Sequence, residues 1–428
     1  MNSNTTTKSR TPALRFPEFA NSGEWVEKKL GEICDSFSGG TPLTSNKDYY
    51  GGNIPFIRSA EINKEKTELF LTKLGFNNSS AKIVNKGDVL VALYGANSGD
   101  VAIAKIDGAI NQAILCLQSK ENNFFISQFL ELQKDNIIST YLQGGQGNLS
   151  GEIIKSLIVP IPSLPEQRKI AECLSSLDDI ITLSTQKLAA LKKHKKGLMQ
   201  RLFPDIKNNT LDPDSQEATL VGEGRREKGV GSRVPELRFP EFANSGEWVE
   251  DEIGNVIVTI TPPLKLQTSN YLLMGNYPII DQSQNYICGW TNDSDALIKE
   301  DFPLIVFGDH TCIVKIINKP FAQGADGIKI FKTKDYPDTC FLYQYICSNP
   351  VEQENYKRHF SNLKEKKVYY PKNISEQRKI AACLSSLDDV ILAQGKKVEA
   401  LKKHKKGLMQ RLFPAVVRDS VVTFFPHN

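Results

Sequence analysis

Residues 190–204 read ALKKHKKGLMQRLFP, and residues 400–414 repeat them letter for letter. Upstream of each copy runs a second shared block, EQRKIA-x-CLSSLDD, which begins at Glu166 and again at Glu376. Neither block contains an internal proline, and both are rich in residues that favour helices. The two copies therefore predict two long helices of the same length.

A leader precedes each copy of the helical block. It reads LRFPEFANSGEWVE at residues 14–27 and recurs unchanged at residues 237–250. The segments between leader and helix, 28–162 and 251–372, have almost no resemblance to each other. A constant frame thus carries two divergent inserts, which suggests two specificities held by one scaffold.

Both helical blocks have apolar residues at alternating steps of four and three, the a/d seam of a heptad repeat. Two polar interruptions recur at the same places, Ser184 and Lys195 in the first copy and Gln394 and Lys405 in the second. Polar seam residues lower stability but help to set helix register. The apolar seam predicted to pair the helices is Ile170, Leu174, Leu177, Ile181, Leu188, Leu191, Leu198 and Leu202, then Ile380, Leu384, Leu387, Ile391, Val398, Leu401, Leu408 and Leu412.

The ends of both helices are also encoded. Ser163-x-x-Glu166 predicts a capping box, and Asn373-x-x-Glu376 repeats its logic. A proline closes each copy, because the residue before proline avoids helical geometry. Helices with matched seams predict an antiparallel pair and an internal pseudo-twofold repeat.

The inserts alternate short apolar runs with turn residues, which is typical of small mixed or barrel-like sheets. The predicted fold class is α+β, with two globular β-rich domains joined by two long antiparallel coiled-coil helices. The predicted domains are 1–162 for the leader and first insert, 163–204 for the first helix, 205–236 for a linker, 237–372 for the second leader and insert, 373–414 for the second helix and 415–428 for a tail.

The insert loops are dense in Asn, Gln, Ser, Thr and Tyr, which read base edges and bind phosphates. Ordinary surface loops share this composition, so both interpretations stay open at each residue. The candidates for DNA contact are Ser38, Thr41, Tyr94, Asn97, Ser98, Gln143, Gln146, Asn148, Gln282, Ser283, Gln284, Asn285, Tyr286, His310 and Thr311, with Arg58, Lys64, Lys265, Arg358 and Lys364 as phosphate candidates.

Composition narrows the classes of function. The net charge of +4 permits nucleic-acid binding without requiring it. The eight cysteines form no CxxC pair, which indicates reduced thiols in a cytoplasmic protein and no metal site. No apolar run approaches the ~20 residues of a membrane span. Asp309 and His310 are adjacent, but no nucleophile accompanies them, so a structural or DNA-contacting loop is favoured over acid–base catalysis.

The order of motifs across both repeats resembles the DNA-specificity subunits of Type I restriction–modification enzymes. The strongest is the run at residues 165–178, which begins PEQRKIA and whose second copy lacks the proline just before the glutamate. The leader LRFPEF belongs to the same set. The other matching motifs are SGGTP at 38–42, YPIIDQS at 277–283, FGDHT at 307–311 and GADG at 324–327.

The resemblance implies two target-recognition domains that each read half of a bipartite site in double-stranded DNA. It also implies that the helices set the spacing and dock two modification subunits, with restriction subunits in the full complex. Those partners would use S-adenosylmethionine, ATP and Mg²⁺, whereas this chain would hold no cofactor and catalyse nothing. Two alternatives remain: a coiled-coil scaffold without DNA specificity, and a single-chain restriction enzyme or methyltransferase, which the missing catalytic motifs disfavour.

Overall fold

The structure is a computed structural model that describes residues 11–141, 148–204, 234–325, 327–353 and 358–414. It contains two compact units, Met1–Thr185 with Lys396–Asn428 and Gln186–Gly395. Each long helix thus contributes its first part to one unit and its last part to the other. Most of the predicted linker, residues 205–233, and the predicted tail, 415–428, lie outside the described residues.

The first repeat begins with a short strand and ends with the first long helix. Its elements are β1 (Val26–Lys29), α1 (Leu30–Ile33), β2 (Cys34–Ser38), β3 (Tyr50–Ile57), β4 (Leu69–Leu71), α2 (Lys73–Asn77), β5 (Lys82–Val84), β6 (Val89–Ala92), β7 (Val101–Ile103), β8 (Gly108–Ile110), β9 (Ile114–Ser119), α3 (Asn123–Tyr141), α4 (Gly151–Ser156), β10 (Ile158–Ile161) and α5 (Leu164–Leu202).

The second repeat follows the same plan. Its elements are β11 (Val249–Glu252), α6 (Ile253–Val256), β12 (Ile257–Ile260), β13 (Tyr277–Ile280), β14 (Gly289–Thr291), β15 (Leu297–Ile298), β16 (Leu304–Gly308), β17 (Val314–Ile317), β18 (Phe321–Gln323), β19 (Ile328–Thr333), α7 (Thr339–Ser348), α8 (Phe360–Glu365), β20 (Lys367–Tyr370) and α9 (Ile374–Leu412).

Both inserts fold into the same pair of four-stranded sheets. The first insert has the orders β2-β9-β6-β7 and β4-β3-β8-β5, and the second has β12-β19-β16-β17 and β14-β13-β18-β15. In each second sheet the central pair is parallel, β3 with β8 and β13 with β18. A two-stranded ribbon, β1 with β10 or β11 with β20, connects each insert to its frame. The predicted α+β class with an internal repeat is confirmed.

The central strand of each insert is apolar throughout. β6 reads VLVA and β16 reads LIVFG, and every residue of both strands is buried. In β6, Val89 and Val91 pack with Phe125 of α3, whereas Leu90 and Ala92 pack with residues of the other sheet. A strand covered on both faces has a continuous apolar run, which is the pattern that both segments show.

An aromatic cluster anchors the C-terminal end of one long helix in each unit. In the first unit, Phe413 beyond α9 packs on Trp25 and Phe125, with ring centroids 6.3 and 5.0 Å away. In the second unit, Phe203 beyond α5 packs on Trp248 and Phe341 at 6.5 and 5.6 Å. In both units, therefore, the tryptophan of the repeated leader packs against the phenylalanine of the repeated LFP ending.

The capping-box prediction is wrong about its glutamates. Glu166 accepts both hydrogen bonds of a bidentate pair with Arg15 in the leader, at 2.7 Å each. Glu376 pairs with Arg238 in the same way at 2.7 and 2.8 Å. Both carboxylates are buried, so they join leader to helix instead of capping it.

The two lysines of the polar seam positions form cross-helix ion pairs. Lys195 of α5 binds both carboxylate oxygens of Asp388 in α9 at 2.6 and 2.7 Å. Lys405 of α9 binds Asp178 of α5 at 2.8 Å and Glu131 of α3 at 3.3 Å. The late part of each helix thus meets the early part of the other, which is the antiparallel pairing that the seam predicted.

All sixteen predicted apolar seam residues are buried or half-buried. The residues at the ends of the seam also contact the insert domains. Ile170, Leu174, Leu408 and Leu412 pack into the core of the first insert domain. The seam therefore also holds each domain on its helices.

Candidate nucleic-acid interface

In the first unit, four strands end at one edge of the sheets. Ser38 at the end of β2 and Ala92 at the end of β6 flank the start of β9, opposite Leu115 and Ile114. β3 and β8 end together, with Ile57 beside Ile110. We call the residues that follow these strands the first loop edge: 38–42, 58–68, 93–100 and 111–113.

Hydrogen bonds connect these loops to one another. The Gly40 N–H donates to Ile110 O at 3.2 Å, and the Leu93 N–H donates to Ala113 O at 2.8 Å. The Leu149 N–H donates to Leu93 O at 2.9 Å, which brings the neighbouring, exposed Asn148 to the same edge. The predicted Gln143 and Gln146 lie outside the described residues.

The second unit repeats this arrangement with other residues. The Leu266 N–H donates to Gln323 O at 2.9 Å, the Asp309 N–H to Gly327 O at 2.7 Å and the His359 N–H to Asp309 O at 2.9 Å. β12, β13, β16 and β18 all end here. We call this the second loop edge: residues 261–266, 281–286, 309–313, 324–325 and 327.

The polar candidates of the first insert lie at the first loop edge. Ser38 is half-buried, and the exposed Thr41 donates its hydroxyl to the side chain of Gln112 at 2.7 Å. Tyr94 is exposed, and Asn97 lines a cleft of about 320 Å³ together with Asn63. Ser98 is a correction. It is buried and donates its hydroxyl to Leu93 O at 3.0 Å, so it shapes the loop.

The two basic candidates of this insert differ. The Arg58 guanidinium is paired with Glu61 at 2.9 Å and Glu68 at 2.5 Å, and these hydrogen bonds raise the pKa of Arg58. Because two carboxylates already neutralise it, Arg58 is a poor phosphate ligand. Lys64 is exposed on the same loop.

In the second insert, Gln284, Asn285 and Tyr286 are exposed on one loop, and Gln282 and Ser283 are half-buried beneath them. The half-buried Thr311 donates its hydroxyl to Gln282 O at 2.9 Å. The DQS and GDHT motifs and the described residues of GADG, which are far apart in sequence, therefore meet at the second loop edge.

The remaining candidates of this insert are basic or histidine. Lys265 is exposed and lines a cleft of about 470 Å³ with Gln267. His310 and Arg358 are exposed at the loop edge. Lys364 is a correction: its ammonium lies 5.7 Å from the Phe360 ring on α8, which packs on α6 at the opposite ends of the strands.

The adjacent acid and histidine do not form an acid–base pair. Asp309 is buried, and its carboxylate accepts the Phe360 N–H at 2.9 Å. His310 is exposed and contributes its carbonyl oxygen to Gln353 at 3.0 Å. Asp309 thus accepts a hydrogen bond from the first residue of α8, which is a structural role.

Sequence reasoning missed two buried charged residues at the loop edges. Glu61 accepts hydrogen bonds from the Glu68 N–H at 3.0 Å and the Arg58 N–H at 3.3 Å. Burial acts to raise the pKa of Glu61, but the hydrogen bonds from Arg58 and Glu68 outweigh it, so the pKa is lowered. Its counterpart in the second insert is Lys315.

Lys315 lies in β17, where it is only 5% exposed. Its ammonium donates to Asp281 O at 2.8 Å and Asn285 O at 2.6 Å. Burial lowers the pKa of Lys315, and the charge of Asp281 opposes that shift. The one sequence signal was a lysine at an inward position of an apolar strand, Val314-Lys315-Ile316-Ile317.

Among the described residues, no three His, Cys, Asp or Glu side chains are grouped closely enough to hold a metal ion. No described helix has the length and apolar character needed to cross a membrane.

Comparisons with known proteins agree with this arrangement. The family profile "Type I restriction modification DNA specificity domain" matches residues 22–193 and again residues 246–403. The Type I restriction enzyme MjaVIII specificity subunit of Methanocaldococcus jannaschii is 22% identical over 96% of both chains. The MjaIX specificity subunit of the same organism is 32% identical over 43% of this chain and 44% of its own.

A solved structure shows the same fold. The S subunit of a Type-I restriction-modification system from M. genitalium superposes with a TM-score of 0.63 at 16% identity, covering 95% of this chain and 100% of that one. The profile alone covers more than half of the chain, in two copies that coincide with the two repeats. The chain therefore belongs to the Type I restriction modification DNA specificity family, as a specificity subunit that carries the family's domain twice.

Proposed function

We propose that each loop edge reads one half of a bipartite sequence in double-stranded DNA, and that the long helices set the number of unread base pairs between the halves. One observation carries this proposal. Two inserts without sequence resemblance place their exposed amide, hydroxyl and basic side chains at the same edge of the same pair of sheets. A shared scaffold with unlike loops suits one task performed on two sequences.

The polar character of both edges fits base readout. Amide side chains make bidentate hydrogen bonds to adenine in the major groove, and hydroxyl groups contact bases or phosphates. Lys64, Lys265 and Arg358 are exposed beside these loops and are the proposed phosphate contacts. Phosphate contacts position a protein on DNA, whereas the loop side chains would specify the sequence.

The helices are the proposed docking site for two modification subunits. Ile180 and Leu183 of α5 are 46% and 64% exposed, and Val390 and Leu392 of α9 are 47% and 57% exposed. Large apolar side chains exposed on a charged helix favour a partner surface. Methyl transfer and cleavage, with S-adenosylmethionine, ATP and Mg²⁺, belong in this proposal to modification and restriction subunits in the cytoplasm, and this chain is non-catalytic.

An insert replacement tests the reading function. The chain is co-expressed with its modification subunits, and methylated positions in the host genome are sequenced. Replacing residues 28–162 with the insert of another specificity subunit is expected to change one half-site and leave the other half-site and the gap unchanged. A replacement that changes both half-sites, or neither, contradicts the proposal.

A substitution on the helices tests docking separately. Leu183→Asp, together with Leu392→Asp, is expected to abolish co-purification of the modification subunits without unfolding the chain. The matched control is Thr185→Asp on the same helix, since Thr185 is already polar and exposed. Full co-purification with the double variant would contradict this docking surface.

A further inference from the structure

The loop from Asp281 to Tyr286 is held from within by a buried ammonium. Lys315 donates to the carbonyl oxygens of Asp281 and Asn285, at 2.8 and 2.6 Å, and so closes the loop at both ends. Hydrogen bonds from a charged donor are stronger than neutral ones. The backbone of this loop is therefore fixed by a side chain that solvent scarcely reaches.

Two further contacts complete the support. Thr311 donates its hydroxyl to Gln282 O at 2.9 Å, and Tyr286 donates its hydroxyl to Ile316 O at 2.6 Å. Three carbonyl groups of the loop are thus bound from beneath. The side chains of Gln284 and Asn285 remain exposed on the outer side.

The fold itself does not require this lysine. Lys315 lies opposite Val306 in the β16–β17 ladder, and the topologically equivalent position in the β6–β7 ladder is Ala102, opposite Leu90. The first insert builds the same sheet with an alanine there. Burying an ammonium costs free energy unless its hydrogen bonds are satisfied. Its retention beneath one loop indicates a task that belongs to that loop.

We propose that the Asp281–Tyr286 loop is the base-reading element of the second insert, that Gln284 and Asn285 read adenine through their amides, and that Lys315 is the positioning residue that holds them. This inference rests on the proposed function of the second loop edge. An amide presents one donor and one acceptor side by side, which match adenine N7 and N6 in the major groove. A loop already fixed in its binding conformation loses less entropy on binding.

The test uses the full chain with its modification subunits and a plasmid library. One half-site is kept at its genomic sequence while the other is randomised, and the methylated fraction of every sequence is counted. The half-site of the second insert is the one that changes when residues 251–372 are replaced. The variants are Gln284→Ala, Asn285→Ala and Lys315→Met, with Lys319→Met as the control at an exposed lysine beyond the same strand.

We expect Gln284→Ala and Asn285→Ala each to reduce the preference for adenine at one position of the second half-site by roughly 5- to 150-fold, the range for a bidentate base contact. Lys315→Met should flatten the preference at both of those positions together. Lys319→Met should leave both half-sites unchanged. The first half-site serves as the internal measure of folding, and it should keep its preference in every variant.

The outcomes separate this inference from the function beneath it. If the wild-type complex showed no preference for a bipartite sequence, both the proposed function and this inference would be wrong. A bipartite wild type whose second half-site is unaltered in all three variants would overturn the inference alone. A Lys315→Met complex that loses both half-sites equally would also overturn it, because a positioning residue acts on one loop.

Discussion

The loop after β3 and the loop after β13 occupy equivalent places in the two inserts, yet buried groups of opposite charge organise them. In the first insert, the Glu61 carboxylate accepts backbone N–H groups of Arg58 and Glu68. In the second, the Lys315 ammonium donates to backbone carbonyl groups of Asp281 and Asn285. A peptide backbone offers both donors and acceptors, so either charge can close a loop.

This difference explains how one scaffold accepts unlike loops. The frame depends on contacts that both repeats share, such as the arginine–glutamate pairs and the aromatic clusters. Each loop instead depends on a charged group within its own insert. An insert can therefore change its loops without disturbing the frame.

The largest expected effect comes from the shared frame. Phe413→Ala and Phe203→Ala each remove a buried ring that packs on a leader tryptophan, and each should lower the free energy of unfolding of its own unit by about 3–5 kcal/mol. The two losses should be similar because the contacts are equivalent. Hydrogen exchange measured by mass spectrometry in each unit checks the prediction.

The control for this pair is Phe70→Ala, which removes an aromatic side chain that is already 38% exposed. Phe413→Ala should accelerate exchange in β1, β10 and α3, and Phe203→Ala in β11, β20 and α7. Equal loss of protection throughout the chain from either variant would contradict two separate cores.

The next effect concerns the unlike loops. Glu61→Gln keeps the shape of the side chain, but its amide N–H group then points at the backbone and guanidinium N–H groups that the carboxylate accepted. We expect the local free energy of unfolding to fall by about 1–3 kcal/mol. Backbone exchange should rise in residues 58–68 and stay unchanged in residues 281–286. Lys315→Met should show the reverse. Faster exchange in both loops from either variant would mean that the loops depend on a common support.

The sequence predicted the frame better than the loops, for a physical reason. Heptad spacing is periodic and apolar runs such as β6 are continuous, and both patterns are visible in a single sequence. Short strands such as β4, β5, β14 and β15 hold only two or three residues, too few to show a period. Topology brought the DQS and GDHT motifs and the described residues of GADG together, but no local pattern distinguished Ser98 and Lys364, which the structure assigns to other tasks.

Buried charges were harder still to identify. Glu61 lies in a polar stretch, AEINKEKTE, where several acidic residues have equal claims from sequence. The fold brings Thr67 beside it: the Thr67 hydroxyl lies 3.5 Å from Glu61 Oε2 and donates to Phe56 O at 2.7 Å. Contacts of this kind leave no signature in the spacing of the residues.

A smaller effect is expected at the polar seam. Lys405 has two carboxylate partners, Asp178 and Glu131, whereas Lys195 has Asp388. A double-mutant cycle with Lys405→Ala and Asp178→Ala should give a coupling of about 0.5–1 kcal/mol, since Asp178 is 36% exposed and solvent weakens the pair.

The cycle for Lys195 and Asp388 should give a coupling of the same order, because Asp388 is 39% exposed. Removing Glu131 should weaken only the Lys405 side. Both couplings should decrease at high salt. A coupling energy of zero in either cycle would mean that the lysine of that cycle does not help to set the register of the two helices.

The smallest effect is a difference in pH dependence between the two buried charges. The pKa of Glu61 is lowered in the folded chain, so its contribution to stability is present above pH 4.5 and lost as the pH falls through the folded pKa. The pKa of Lys315 is also lowered, so stability should rise with pH from that lowered value up to 10.5. Urea unfolding of wild type beside Glu61→Gln should show a difference in the free energy of unfolding that narrows only in acid. Beside Lys315→Met, the difference should change only between the lowered pKa of Lys315 and pH 10.5. All other groups titrate alike in the wild type and the variant of each pair. A difference beside Glu61→Gln that changes only in alkali, or a difference beside Lys315→Met that changes only in acid, would contradict the assigned charge.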